Sequence, residues 1–196
     1  MTDENNKDRD KWNSHYVSAS NTPLTDGPSL VLSEYSHILP VTGAALDLAC
    51  GFGSNAIFLA KHGLETHAWD ISDVAISKLI NEAEVSVLDI QTEVRDVVSN
   101  PPSENSFDVI VVSRFLDRNI TTALIKALKP NGLIFYQTFI VDKSNGAGPT
   151  NPDYLLKTNE LLNMFQSLTV RVYREEGLLG DTAKGFRGEA MLVAQK

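Results

Sequence analysis

The chain has 196 residues, 42% of them apolar, and its 25 acidic against 17 basic side chains give a formal charge of −8. That length and composition suit one globular domain with a sizeable core, or at most two small ones, and the acidic balance argues against a nucleic-acid partner, which needs a basic face. No apolar run approaches the roughly 20 residues of a membrane span, residues 1–14 lack the apolar stretch of a leader peptide, and the single cysteine, Cys50, leaves no internal disulfide, so a cytoplasmic protein with no membrane contact is expected.

Residues 1–11 are polar and read as a frayed terminus. Trp12 and Tyr16 lie one helical turn apart and predict a short helix over about 8–17 with a single aromatic face. After a turn-rich stretch at 18–27, Pro28 stands where a helix opens and Pro40 where it stops, with Val31, Tyr35, Ile38 and Leu39 along one side. From Gly43 the pattern changes to short apolar runs separated by amphipathic segments, and strands are predicted over 44–49, 66–69, 90–95, 107–113 and 133–141. Between them Ser54 is placed to cap a helix that ends at Gly63, and Ser72 or Asp73 to cap the next. A third helix, from Ile120 to Leu128, is closed by the turn Lys129-Pro130-Asn131-Gly132. Leu161, Leu162, Phe165 and Leu168 mark a late helix, and 170–176 and 189–194 two last strands with no room for a crossover helix between them. This succession predicts an α/β fold: a doubly wound, seven-stranded, mostly parallel Rossmann-like sheet with an antiparallel C-terminal hairpin. Residues 1–42 form an N-terminal helical segment and 43–196 the Rossmann-like domain, one compact unit overall.

Ligands in such sheets bind outside the carboxyl ends of the strands. There Leu46-Asp47-Leu48-Ala49-Cys50-Gly51-Phe52-Gly53-Ser54-Asn55 runs from the first strand through a glycine turn into a helix. Gly51 and Gly53 let the backbone approach a ligand closely, and the helix start offers unpaired N–H groups. Asp70 ends the second strand, nineteen residues after Gly51, where a carboxylate can accept both hydroxyls of a ribose. A Gly-x-Gly turn alone often serves helix–strand packing; an acid before it and an acid after the next strand point to a nucleoside. Gly51-x-Gly53-x-x-Ala56 also fits a dinucleotide fingerprint, but a pyrophosphate there would lie against Asp47 and be repelled. A ligand bearing an ammonium and a sulfonium gains from the same carboxylate, and S-adenosylmethionine is such a ligand. A nicotinamide cofactor, or a purely structural turn, is the alternative.

These motifs resemble the class I S-adenosylmethionine-dependent methyltransferases over about residues 43–196. The family's first motif, an acid followed by alternating glycines, reads here Asp47-x-Ala49-x-Gly51-x-Gly53, with alanine where a glycine is commoner. The resemblance implies that Asp47, Ala49, Cys50, Gly51 and Gly53 cradle the cofactor and that Asp70 takes the ribose. It also implies that Ile71 packs on the adenine, that Asp96 with Val97 meets its amino group, and that Ser113-Arg114-Phe115 follows the fourth strand at the site. Trp12-Asn13-x-x-Tyr16 and the compact length place the resemblance in the small-molecule branch near the tellurite-resistance and thiopurine methyltransferases. In that branch the amino-terminal segment covers the cofactor, so residues 1–42 are expected to be a lid carrying Trp12, His15 and Tyr16; a helix packed for stability is the plainer reading.

Methyl transfer from a sulfonium is an in-line displacement on an activated donor, which positioning and desolvation alone can promote. Arg114 suits an anionic small-molecule acceptor, or else pairs with Asp117 at the surface; with His15 and Tyr16 it completes the candidate catalytic set. Tyr136, Phe139 and Arg187 are further candidates for the acceptor pocket. Asn100-Pro101-Pro102-Ser103 precedes the fourth strand and reads as a loop. His15, His37, His62 and His67 share no metal-ligand spacing, so no metal is expected, and Cys50 reads as a packing residue beside the glycines. The expectation is therefore an enzyme that methylates a small molecule. Its rivals are a nicotinamide-dependent oxidoreductase, for which the chain leaves little room for a substrate domain, and a non-catalytic S-adenosylmethionine-binding module. The residues point to no particular acceptor or oligomeric state.

Overall fold

In the computed structural model, which describes residues 3–19, 27–144, 146 and 148–196, the apolar runs become one sheet. Its strands are β1 (Ala44–Leu48), β2 (Glu65–Asp70), β3 (Ile90–Val94), β4 (Phe107–Ser113), β5 (Leu128–Phe139), β6 (Thr169–Glu175) and β7 (Glu189–Gln195), in the order β3-β2-β1-β4-β5-β7-β6. Every neighbouring pair is parallel except those of β7, which runs antiparallel to both β5 and β6. The order reverses between β1 and β4, the switch point at which open α/β sheets bind ligands. The helices are α1 (Asp3–Ala19), α2 (Leu30–Glu34), α3 (Ser54–Lys61), α4 (Asp73–Val85), α5 (Thr121–Ala127) and α6 (Glu160–Met164). Among the described residues no helix is long and apolar enough to cross a membrane.

The central strands are apolar at nearly every position because both faces of the sheet are covered. Leu46, Leu48, Ile110, Val112, Ile134 and Leu192 pack on one side with Leu124 of α5 and Leu161 of α6. Ala45, Val109, Val111, Phe135 and Val193 pack on the other with Leu59 of α3 and with Val31 and Leu32 of α2. The helix at 30–34 is thus part of the core, unlike α1.

Four local expectations are corrected. Residues 3–11 are helical, not frayed, and α1 runs on to Ala19; no glycine, proline or β-branched residue interrupts 3–16, and its middle is docked on α4. The rest of the predicted turn-rich stretch, at 20–26, lies outside the described residues. The second helix begins at Leu30, two residues after Pro28, and gives way at Ser36–Ile38 to a 3₁₀ turn. Gly53, not Ser54, stands at the cap position of α3, for a reason given below. Finally, 129–132 is not a separate turn: it is an irregularity inside β5, whose pairing with β4 jumps from Leu128 opposite Phe107 to Leu133 opposite Val109.

Two non-glycine residues at the carboxyl ends of central strands, Ala49 (φ 55°) and Arg114 (φ 54°), adopt left-handed backbone. For an L-residue that costs about 1–2 kcal/mol. Ala49→Gly relieves the strain but adds freedom to the unfolded chain, so a net gain of about 0.5–1 kcal/mol is expected, read as a Tm higher by about 1–4 °C. A lower Tm would mean that packing of the Ala49 methyl outweighs the strain.

Candidate active site

The carboxyl ends of β1 and β2 lie side by side, Leu48 opposite Trp69, and each strand delivers an acid there. Asp47 is wholly buried; one oxygen accepts from the Ala56 backbone N–H at 3.0 Å and the other from the Asn55 side chain at 3.4 Å. Ala56 lies in the first turn of α3, so the strand acid does the capping that the sequence assigns to Ser54. Asp70 is 4% exposed. Its oxygens accept from the backbone N–H groups of Gly51 at 2.8 Å and Ser72 at 2.9 Å, joining the glycine loop to the end of β2. Gly51 and Gly53 both have left-handed backbone, at φ 54° and 78°. A side chain at Gly53 would collide with Leu79 of α4, whereas one at Gly51 would meet the Tyr16 hydroxyl of α1. Gly53 therefore serves packing, and Gly51 opens onto the space beneath α1.

Neither acid has a basic partner among the described residues. Burial consequently pushes the Asp47 carboxyl up from 3.8 to about 8, despite the bonds from Asn55 and Ala56, and raises that of Asp70 as well. Two buried carboxyls without a cation make a site that a positively charged ligand would stabilise. The folded state also holds the Asp47 proton across roughly pH 4 to 8 where the unfolded chain has lost it, so stability falls as pH rises through that window. Asp108, Glu160 and Asp181 are lowered and act below it. Thermal unfolding is expected to give a lower Tm at about pH 8.5 than at about pH 6, and Asp47→Asn to reduce the difference. An unchanged difference in the variant would trace the effect to other groups.

Helix α1 lies across this edge and is tied at both sides. The Ser72 hydroxyl donates to the Asn13 side-chain carbonyl at 2.6 Å, and the Asn13 amide donates to Asp73 at 2.6 Å. Lys11 donates to the hydroxyl of Tyr154, in the 3₁₀ turn at Pro152–Tyr154, at 3.2 Å. Tyr16 packs on Phe52 of the glycine loop, ring centres 5.0 Å apart. Burial, and then the charges of Asp70, Cys50 and Asp47, hold the Tyr16 proton well above the ordinary phenol range, so this hydroxyl is a donor and not a base. Trp12 is half-buried beside it, while His15 is exposed. The Cys50 thiol is buried and pushed up by desolvation and by Asp47 and Asp70, the opposite of an activated nucleophile.

On the far side of β2, Asp96 holds the turn after β3, accepting from the Val98 N–H at 3.0 Å and the Ser99 hydroxyl at 2.7 Å, with Val97 buried beside it. Ile71 is half-buried between Asp70 and Ser72. Across the switch point, Ser113 pairs with Gln137 of β5. Arg114 does not pair with Asp117: its Nε donates to Glu189 at 3.0 Å, its guanidinium stands 5.7 Å from the Phe139 ring centre, and Asp117 accepts from the Asn119 N–H instead. Tyr136 is buried in the core with its hydroxyl on the Phe115 carbonyl, and Arg187 is spent on loop carbonyls, those of Glu176, Gly177, Asp181 and Lys184. Neither faces the site. Sequence reasoning missed Gln137 and Glu189, both buried; their only signal was polarity within or beside wholly apolar strands.

A second groove, lined by His67, Trp69, Arg95 and Lys129 among others, is a weaker candidate. Arg95 is held by Glu93 and the carbonyls of Asn100 and Pro101, and Lys129 by Asp108.

A family model described as the tellurite resistance protein TehB matches residues 13–187. A curated relative, the probable S-adenosyl-L-methionine-dependent methyltransferase TehB of Haemophilus influenzae, is 34% identical over 87 residues, which are 43% of this chain and only 30% of that protein. The crystal structure of TehB from H. influenzae superposes with a TM-score of 0.72 at 22% identity, covering 94% of this chain and 66% of that one. A structure described for the conversion of a disulfide bond into a thioacetal group during echinomycin biosynthesis gives 0.73 at 21% identity, covering 96% and 91%. An S-adenosylmethionine-dependent methyltransferase from Mesorhizobium loti gives 0.66 at 17% identity, covering 86% and 99%. With a family model spanning residues 13–187 and superpositions that cover most of its length, this chain belongs to the tellurite resistance protein TehB family and has the Rossmann-like fold of the class I S-adenosylmethionine-dependent methyltransferases.

Proposed function

We propose that this chain is an S-adenosylmethionine-dependent methyltransferase that methylates a small anionic acceptor by in-line displacement. The observation that carries the reading is the pair of buried carboxyls, Asp47 and Asp70, which flank the Gly51 loop without a basic partner among the described residues. An ammonium and a sulfonium would draw these raised carboxyls back into their charged form, whereas a pyrophosphate would push them further from it. When bound, S-adenosylmethionine supplies a methyl group already activated on sulfur. Asp70 is the residue to accept the ribose hydroxyls, Ile71 and Val97 to flank the adenine, and Asp96 to meet its amino group. Trp12 and Tyr16 exclude water from above. Arg114, across the switch point, holds the acceptor's negative charge. No residue need remove a proton from an acceptor that is already anionic; Tyr16, which keeps its proton, orients by donating a hydrogen bond.

The description of the family as a tellurite resistance protein supports a metalloid oxyanion as one acceptor class. The test is a screen of metalloid oxyanions, small carboxylates and thiols for release of S-adenosylhomocysteine, alongside calorimetry with both forms of the cofactor. Binding in the low-micromolar range, about −7 to −8 kcal/mol, is expected. Absence of heat with either form would sink the cofactor assignment; binding without turnover on any of these acceptors would leave a non-catalytic binding module.

A further inference from the structure

A polar chain runs from the acceptor edge into the interior. Glu189 opens β7 and is 7% exposed, yet its two carboxylate oxygens are both engaged: one accepts from Arg114 Nε at 3.0 Å, the other from the Gln137 side-chain amide. Gln137 is buried too, and its side-chain carbonyl accepts from the Val31 N–H at 2.8 Å, in the first turn of α2. An amide between a carboxylate and an N–H can satisfy both in one orientation only, so Gln137 is locked, and Glu189 with it. The backbone carbonyl of Gln137 accepts the Arg114 N–H at 2.8 Å, which holds the left-handed backbone at that residue (φ 54°). Strained backbone of this kind persists where surrounding structure over-determines it.

The consequence lies in what Glu189 leaves unused. The bond goes through Nε alone, the Arg114 side chain is 60% exposed, and among the described residues neither Nη1 nor Nη2 has a partner. A guanidinium held through Nε, with both terminal nitrogens left without a hydrogen-bond partner among the described residues, keeps the fork that oxyanions take bidentately. We propose that Glu189 is a positioning residue: together with Gln137 it aims Arg114 so that Nη1 and Nη2 grip an oxyanion acceptor. This deepens the methyltransferase reading and rests on it. Removing the charge of Glu189 has two opposed effects. It makes the surroundings of Arg114 more positive, which attracts an anion, and it frees the guanidinium, which loses the fork. Positioning requires the second to win.

The test uses the full chain loaded with S-adenosylhomocysteine and selenite as the oxyanion probe, followed on ¹⁵N-arginine-labelled protein by NMR. In the wild type the Arg114 Nε–H signal, assigned by its loss in Arg114→Ala, should be protected from exchange and should shift with selenite. Glu189→Gln should weaken selenite at least about tenfold and expose that Nε–H, with S-adenosylhomocysteine affinity unchanged by calorimetry. The double variant Glu189→Gln/Arg114→Ala should be no worse than Arg114→Ala alone, since a merely structural role for Glu189 would add to it. Selenite bound by Glu189→Gln as tightly as by the wild type, or tighter, overturns the proposal, as does additivity. If Glu189→Gln fails to fold, the wild type decides: an Arg114 Nε–H exchanging as fast as exposed arginines overturns it. Wild-type protein that binds S-adenosylhomocysteine but shows no selenite shift overturns this inference alone; wild-type protein that binds neither overturns the methyltransferase reading as well.

Discussion

Replacing Asp70 by alanine is expected to weaken S-adenosylmethionine binding by about 2–4 kcal/mol, roughly 30- to 1,000-fold in Kd. A carboxylate that takes two ribose hydroxyls makes two charge-assisted bonds. The same group accepts the N–H of Gly51 at 2.8 Å and of Ser72 at 2.9 Å, so its loss also releases the glycine loop from β2. Asp70→Asn keeps the shape but turns one oxygen into a donor facing one of those N–H groups, and it too should lose affinity. Asp96 stands differently. It is half-buried, already serves the turn at 97–99, and on the proposed reading would give the adenine a single bond, so Asp96→Ala should cost only about 1 kcal/mol. Calorimetry on both variants separates the two; equal losses would move the ribose away from the end of β2.

Removing residues 1–17 is expected to leave the sheet folded and to slow turnover at least about tenfold, or 1.4 kcal/mol of barrier. The core clusters draw nothing from α1, whereas Val31 and Leu32 of α2 are buried among β4, β5 and β7. What α1 supplies is a cover: Tyr16 over Gly51, and Asn13 pinned to Ser72 and Asp73 beside Asp70. Over a bound sulfonium its aromatic faces would add an attraction of about 0.5–2 kcal/mol and would exclude water. Cofactor should in turn slow hydrogen exchange over residues 10–19, as a lid closing on its ligand does. Normal turnover by the truncated protein, or exchange indifferent to cofactor, would make α1 a helix packed for stability and pass control of access to the loops after β5 and β6.

How far each feature could be read depends on the distance over which it is decided. Six of the seven strands start within a residue of where the apolar runs put them, because a strand covered on both faces must be apolar at consecutive positions; only β5 departs, since the Lys129–Gly132 turn pairs on as a bulge. The antiparallel hairpin followed from the missing crossover helix. The Gly51 loop and Asp70 were legible for the same local reason: left-handed turns need glycine, and the loop, the next helix and the next strand follow within twenty residues. Other features were settled only by chain folding back on itself. The pattern of the sequence marks Asp47 as a ligand for charge; the structure makes it the cap of α3, in place of Ser54, because the strand delivers a buried acceptor to the helix start. Arg114 was offered Asp117, three residues on, and took Glu189, 75 residues away, with Gln137 tied to Val31 across 106. Helix α1 carries almost no pattern of its own and gets its place from Asn13 meeting Ser72 and Asp73, about sixty residues on. Periodicity and turn chemistry act between near neighbours and so determined the sheet, the glycine loop and the place of Asp70 at the end of β2. The partner of a buried polar side chain is whichever complementary group the assembled sheet brings within hydrogen-bond reach, and only the tertiary structure decided that.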